Sequence, residues 1–390
     1  MKKFFEIIHQ SKKSKARTGK ITTSHGTVLT PAFVPVATQG TIKALPPQLL
    51  KEVPLQIAFV NNYHLVNSPG FEVIEKAGGI HNFSKINFPL MSDSGGFQVF
   101  SLAQKKKAYL RDKEQVLVLK ITKEGVMFRS LVDGRDIFFS PEKAIQYQIK
   151  IGADIIMAFD ECLSYPVTRE KALRSLERTN LWLLKSIETF KKLKSKSHRQ
   201  FLFGIVQGGI FKDLRESSAK FVGQREVDGL AIGGVSVGEP KKEMQKAVKW
   251  AISYLPREKP LHLLGVGEVD DILNMIPLGI DSFDCVEPTR FAREGKLYRI
   301  LDFSLKEIIK KKLKTSQLIF DIKKNRFHQD LNRLTKNCFC FSCQNFSRAY
   351  LHHLFRQKEV SALFLATLHN LYQMEKLFSL IRQFINKDEI

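Results

Sequence analysis

The chain has 390 residues, with 62 Lys plus Arg against 39 Asp plus Glu and a formal net charge of +23. Hydrophobic residues make up 43 %, which excludes wholesale disorder, and the length suits one large α/β barrel with an appendage or two domains. No apolar run reaches the roughly 20 residues of a membrane span, and the positive excess favours a polyanionic partner, nucleic acid first.

The N-terminus, M-K-K-F-F-E-I-I-H-Q, begins basic, but Glu6 and His9 interrupt any signal-peptide core. Sparse cysteines point to a reduced, cytoplasmic setting. Short apolar runs then recur, each stopping at a polar or glycine-rich turn. Q-I-A-F-V stops near Asn61 and Asn62, F-P-L-M-S at Asp93 and D-I-I-M-A-F at Asp160. L-F-G-I-V stops at Gln207, G-L-A-I at Gly233 and Gly234, L-H-L-L at Gly265, and D-S-F at Asp284. Helical periodicity fills the intervals 141–150, 168–191, 212–222 and 239–254. Buried strands alternating with helices predict a parallel sheet. Seven or eight such units predict an α/β fold of the (β/α)8 TIM barrel type. A doubly wound sheet is the alternative, but no G-x-G-x-x-G follows the early strands. In a barrel the C-terminal strand ends converge on one face, so the polar residues above share a mouth. Carboxylates buried there are costly unless they have work or partners.

After about residue 300 the pattern changes. Residues 301–337 read as basic and irregular, and C-F-C-F-S-C then brings Cys338, Cys340 and Cys343 together. Three thiolates and one imidazole fit the tetrahedral preference of zinc, with His352, His353 and His369 as candidate fourth ligands. A site closed in that way holds structure and does no chemistry. Two amphipathic helices follow, at 344–357 and 359–386. The chain thus divides into a catalytic barrel over 1–300 and a C-terminal zinc-binding helical subdomain over 301–390 packed on it. Basic runs stand at Lys105 to Lys107, at 191–199 and from Lys310 to Lys314.

The segment S-D-S-G-G-F-Q (92–98) sets Asp93 and Ser94 before Gly95 and Gly96, where a ligand can approach the backbone closely, and Phe97 can stack on a planar ring. Read alone it also fits an ordinary capped turn. A-F-D-E-C gives Asp160 and G-I-V-Q-G-G gives Gln207. A carboxylate and an amide in one pocket can read the donor and acceptor edges of a purine-like base. F-D-C-V-E-P-T-R places a second strand-end carboxylate, Asp284. Two carboxylates across a sugar suit glycosidic chemistry, one as nucleophile and the other moving protons. Thr289, Arg290 and Arg293 suit phosphate and base contacts.

Together, S-D-S-G-G-F-Q-V-F-S-L, M-A-F-D-E-C, E-R-T, F-G-I-V-Q-G-G, A-I-G-G, L-L-G-V-G, F-D-C-V-x-P-T-R, C-x-C-x2-C and S-R-A-Y-L-x-H-L-F resemble the tRNA-guanine transglycosylases of bacterial type, from about residue 4 to residue 385. The resemblance implies a zinc-bearing barrel that exchanges guanine 34 of a tRNA with a G34-U35 anticodon for a 7-deazaguanine, preQ1 or queuine. It implies Asp284 as nucleophile and Asp93 as general acid/base. It implies base contacts from Asp160, Gln207, Gly233 and Gly234, with Ser94, Gly95, Gly96 and Phe97 beside them. RNA contacts are implied at Gly265, Val266, Gly267, Glu268, Val269, Asp270 and Asp271, and at Thr289, Arg290, Phe291, Ala292 and Arg293. Cys338, Cys340, Cys343 and His369 match the zinc ligands, one ion per chain, and a homodimer is expected. A noncatalytic RNA-binding paralogue and an archaeosine-type transglycosylase are the alternatives. The chain departs from the family pattern at Val235, Ser236, Leu264, Glu287, Phe291 and Glu294, and carries insertions near 104–118 and 300–318. Cys162 and Val237 resemble preQ1-using enzymes, and Ser236 resembles queuine-using ones.

Overall fold

The protein is described by a computed structural model over residues 3–97, 117–129, 134–193 and 199–390. Gln98, the run Lys105 to Lys107, most of the insertion near 104–118 and the middle of 191–199 lie outside the described residues. Eight short strands form one sheet: β1 (Ala32–Pro35), β2 (Ala58–Val60), β3 (Leu90–Ser92), β4 (Ile155–Met157), β5 (Phe201–Val206), β6 (Gly229–Ile232), β7 (Leu261–Leu263) and β8 (Ser282–Cys285). Their order is β1-β8-β7-β6-β5-β4-β3-β2, and every pairing is parallel. A parallel bridge between Val36 and Phe59 joins the two outer strands, with the Ala37 amide donating to the Phe59 carbonyl at 2.7 Å. The sheet therefore closes into the expected barrel.

Side-chain alternation explains why these runs are almost wholly apolar. Val34, Phe59, Met91, Ile155, Met157, Phe203, Ile205 and Ala231 pack together inside the barrel. Their neighbours Phe33, Val60, Leu90, Ile156, Leu202, Ile232 and Phe283 pack outward with the helices. A strand buried on both faces has no polar side to show. The helices run Pro141–Ile151, Arg169–Leu193, Lys212–Gly223 and Lys241–Ile252, within a few residues of their periodicity.

Three features were not legible as elements. The run A-F-V-P at 32–35 is the eighth barrel strand. An antiparallel sheet of Phe5–Gln10, Arg17–Thr23 and Gly26–Thr30 closes the barrel floor, where Phe4 stacks on Phe201 with ring centroids 3.7 Å apart. The stretch 301–337 is irregular only in its second half; its first half carries a helix and a strand. Lys296–Tyr298 pairs antiparallel with Ile319–Asp321. Ser304 and Glu307 form a reciprocal capping box that starts the helix Leu305–Lys311. Elements this short carry too few residues for a period to show.

The terminal helices run Arg348–Arg356 and Val360–Asn386. The second packs against β1, against the floor sheet and against the helix Glu287–Arg293 that follows β8. No helix among the described residues is long and apolar enough to cross a membrane.

Candidate functional site

The C-terminal ends of the strands open into a cavity of about 440 Å³, lined by Asn61, Asp93, Ser94, Phe97, Asp160, Cys162, Gln207, Gly233, Gly234, Leu264, Gly265, Asp284 and Arg290 among others. Both strand-end aspartates implied as catalytic stand here, together with the residues implied as holding the base.

Asp93 follows β3. Its Oδ1 accepts the backbone N–H of Asn62 at 2.8 Å, and its Oδ2 accepts the side-chain amide of Asn61. Asn61 is fixed in turn by capping the short helix Asn62–Asn67, its Oδ1 accepting from His64 N at 3.0 Å. Burial, and then the nearby charges of Asp160 and Asp284, push the Asp93 carboxyl from its ordinary 3.8 up to about 7. A group poised there can both give and take a proton near neutrality.

Asp160 follows β4. Ser94 Oγ donates to its Oδ1 at 3.0 Å and Gln207 Nε2 donates to its Oδ2 at 2.7 Å. Burial outweighs both bonds and raises this carboxyl to about 6. Each oxygen keeps a second lone pair for a ligand N–H. Gly234 has φ +59°, and a Cβ there would sit 2.1 Å from Gln207 Oε1. A Cβ on Gly96 would meet the Asp160 carbonyl at 2.3 Å. Both positions need glycine for space beside the floor of the cavity. Phe97 is about half exposed at the rim, with a face free to meet solvent or a ring.

Asp284 ends β8. Its Oδ1 accepts Gly265 N at 2.9 Å and lies 3.1 Å from His262 Nε2. A carboxylate can only accept, so His262 carries its proton on Nε2, and Nδ1 accepts from Ser282 Oγ at 2.8 Å. Oδ1 is thus pinned by two donors at the wall of the cavity.

Three supporting groups escaped the sequence reading. His262 stood within the apolar run L-H-L-L, where a polar residue mid-strand was the available signal. Asn61 and Asn62 stand at the end of the run Q-I-A-F-V, where nothing local signals their contacts with Asp93. Arg215 lies on the inward face of the helix Lys212–Gly223 and is wholly buried. It donates to the carbonyls of Gly209 at 2.7 Å, Gly233 at 2.6 Å and Gly234 at 2.6 Å. Burial lowers its pKa to about 10, so it stays charged while clamping the loops after β5 and β6.

The two segments implied as RNA contacts are split by depth. Gly265 and Arg290 are exposed, and Glu268, Asp270, Phe291 and Arg293 are half-buried. Val266, Gly267, Val269, Asp271, Thr289 and Ala292 are buried and shape the loops from behind. Lys241 Nζ holds Glu268, Asp270 and Asp271 at 2.7, 2.7 and 3.0 Å. Of the departures from the family pattern, Val235, Ser236 and Leu264 line the cavity. Phe291 instead packs on Tyr298, and Glu294 pairs with Lys296 at 2.7 Å. Burial raises Glu287 to about 7.

Outside the cavity lining, Cys338, Cys340, Cys343 and His369 are all buried and form one cluster. His369 Nδ1 lies 3.8, 3.5 and 3.3 Å from the three sulfurs in that order. Tetrahedral zinc with ordinary bond lengths sets sulfur and nitrogen ligands about 3.6 Å apart. His369 Nε2 donates to the Tyr298 carbonyl at 2.8 Å, which leaves the Nδ1 lone pair for a metal. The residues therefore fit a structural metal site. Neither His352, whose Nδ1 faces the Ile322 carbonyl at 2.8 Å, nor His353 belongs to the cluster.

A family model described as Queuine tRNA-ribosyltransferase matches residues 11–390. The chain is 42 % identical over 386 residues to the queuine tRNA-ribosyltransferase of Caldanaerobacter subterraneus subsp. tengcongensis, covering 99 % of this chain and 94 % of that one. It is 42 % identical over 391 residues to the protein of that name from Protochlamydia amoebophila, covering 99 % and 96 %. It is 43 % identical over 381 residues to the one from Aquifex aeolicus, covering 97 % and 93 %.

Proposed function

The chain belongs to the queuine tRNA-ribosyltransferase family of tRNA-guanine transglycosylases, which are pentosyltransferases, and from that premise we propose that it exchanges guanine 34 of a G34-U35 tRNA for a 7-deazaguanine by double displacement. The observation that carries the proposal is the pair Asp93 and Asp284 in one cavity, each held by its own set of hydrogen-bond donors. Asp284 is oriented through Oδ1 by Gly265 and His262. Asp93 is held near neutrality as a proton store.

In this reading Asp284 Oδ2 attacks C1′ of the ribose, the bond from C1′ to guanine N9 breaks, and the base leaves with a proton from Asp93. The covalent ribosyl–Asp284 ester then waits for the incoming base. Asp93, now a carboxylate, takes the proton from that base as its N9 attacks C1′ and releases Asp284. Splitting one difficult substitution into two is the gain of covalent catalysis. Asp160 and Gln207 read the base, with Ser94, Gly95, Gly96, Phe97, Gly233 and Gly234 shaping the space for it. The rim segments 265–271 and 289–293 meet the RNA.

The same proposal assigns zinc to the Cys3His cluster, one structural ion per chain, and divides the chain into a barrel over 1–300 and a zinc subdomain over 301–390. It also includes a homodimer and a cytoplasmic setting. The test is Asp284→Asn. The variant should bind tRNA as the wild type does, exchange no radiolabelled guanine, and yield no denaturant-resistant complex with tRNA. Wild-type turnover by the variant would end the proposal, and so would a wild type that exchanges none of guanine, preQ1 and queuine.

A further inference from the structure

We propose that the insertion at 300–318 is a phosphate-binding ledge, which grips the ribose-phosphate backbone of the tRNA beside the nucleotide in the cavity. The inference rests on the tRNA reading above and adds to it a contact outside the cavity.

The insertion is built to present charge. Its helix, Leu305–Lys311, buries Leu305 and Ile308 and exposes Lys306, Lys310 and Lys311. Lys312 and Lys314 follow, also exposed. The helix carries one acid, Glu307, which caps the N-terminus and reaches Lys311 at 3.3 Å between two exposed side chains. A pair that exposed contributes little and yields readily to a better partner. Five ammonium groups within nine residues repel one another unless an anion lies among them. Lysine is a point charge without the planar fork of arginine, and it suits backbone phosphate better than base edges.

A charge run of this kind is usually only a solvated face. Here its attachment argues otherwise. Thr315 closes the insertion by donating from Oγ1 to Asp270 Oδ1 at 2.8 Å and from its amide to the same oxygen at 3.1 Å. Val269 N donates back to Thr315 Oγ1 at 2.7 Å. Residues 265–268 are the loop after β7 and lead into the helix Val269–Met275, to whose first turn Thr315 bonds, and the Gly265 amide in that loop holds Asp284. The insertion is therefore anchored, through Thr315, to the segment whose Gly265 amide holds Asp284. Ile309 is the exposed apolar side chain of the helix, against buried Leu305 and Ile308, which leaves little for a membrane or an apolar protein surface to bury.

The test compares three purified full-length proteins: wild type, the triple variant Lys310→Gln/Lys311→Gln/Lys312→Gln, and the control Lys12→Gln/Lys13→Gln. The control lysines lie at the opposite end, where Lys15 N bonds the Pro277 carbonyl ahead of β8. Affinity for full-length tRNA is measured across a salt series, and guanine exchange at saturating tRNA. Three lost phosphate contacts should flatten the log–log salt slope by about 2–3 and weaken binding at about 0.15 M salt roughly fivefold per contact, on the order of a hundredfold in all. The turnover number at saturation should stay within about twofold, since no lysine of the three enters the proposed chemistry. A triple variant with the wild-type slope and affinity overturns the ledge while leaving the tRNA reading intact. An equal loss in the control overturns it in favour of diffuse charge. A wild type that binds tRNA with the predicted lysine dependence but exchanges no base would instead strike the enzymatic reading. All substituted lysines are exposed, and unchanged thermal unfolding of the variants verifies that the comparison concerns binding.

Discussion

Asp93→Asn separates the proton store from the fold that holds it. In the folded chain the Asp93 carboxyl is raised from 3.8 to about 7, first by burial and then by the charges of Asp160 and Asp284. The folded state therefore keeps a proton that the unfolded chain releases. Its contribution to stability is fully present below pH 3.8, declines above it, and is gone once the pH passes about 7. From about pH 5 to about pH 8 the loss integrates to about 2–3 kcal/mol for a shift of this size. D93N has no proton to lose, so its stability should fall less over that interval by the same amount. Asp160 and Glu287 titrate with the same sign in both proteins, which is why the difference between the two curves matters and not either alone. Urea midpoints at the two pH values give the stability difference. Base exchange at neutral pH gives the chemical cost, about 10²- to 10⁴-fold for a lost general acid/base. Parallel stability curves would show that Asp93 is not held protonated. Exchange within a few-fold of wild type would show that its proton is not used.

Two further outcomes follow from the geometry. Gly234→Ala places a methyl against Gln207 Oε1 at a left-handed φ, so it should cost about 1–2 kcal/mol and raise the KM for the free base about tenfold or more, measured by exchange at saturating tRNA; an unchanged KM would remove Gln207 from base recognition. Cys343→Ala opens the Cys3His cluster and should abolish bound zinc by elemental analysis and lower Tm on the order of 10 °C, whereas a metal-free wild type of full stability would show that the cluster is not a metal site.

What the sequence disclosed and what it hid have a common cause. Asp93, Asp160, Gln207 and Asp284 were visible because each interrupts an apolar run at its C-terminal end, and a barrel gathers such ends. The groups behind them were hidden because their partners are distant in sequence. Arg215 reads as one more helical arginine until the carbonyls of Gly233 and Gly234 arrive from the next strand. Asn61 reads as a cap, which it is, and its second role needs Asp93 from another strand. The floor sheet is hidden in the sequence because Arg17 is buried by partners more than two hundred residues later, Asp281 at 2.9 Å from Nε and the Lys259 carbonyl at 2.9 Å from Nη2. The metal cluster divides the same way. Three cysteines announce it locally, while the choice of His369 over His352 and His353 is made by a helix that also ties down the helix Glu287–Arg293 after β8, through Asn370 and the carbonyl of Pro288 at 3.0 Å.

The cavity is acidic inside a basic molecule. Asp93, Asp160 and Asp284 share its 440 Å³, while the chain as a whole carries +23. This reversal of sign sorts a polynucleotide by its own anatomy. Its phosphates are drawn to the outer surface and repelled from the interior, so the only portion that can enter is the uncharged one, a base with its sugar. Such a nucleotide must leave its stack with its phosphates still outside. A free nucleobase carries no phosphate to be turned away and can pass the same door in either direction. Under the proposed exchange, one arrangement of charge would admit both reactants to a common space, yet tether only the one that must not be lost between the two halves of the reaction.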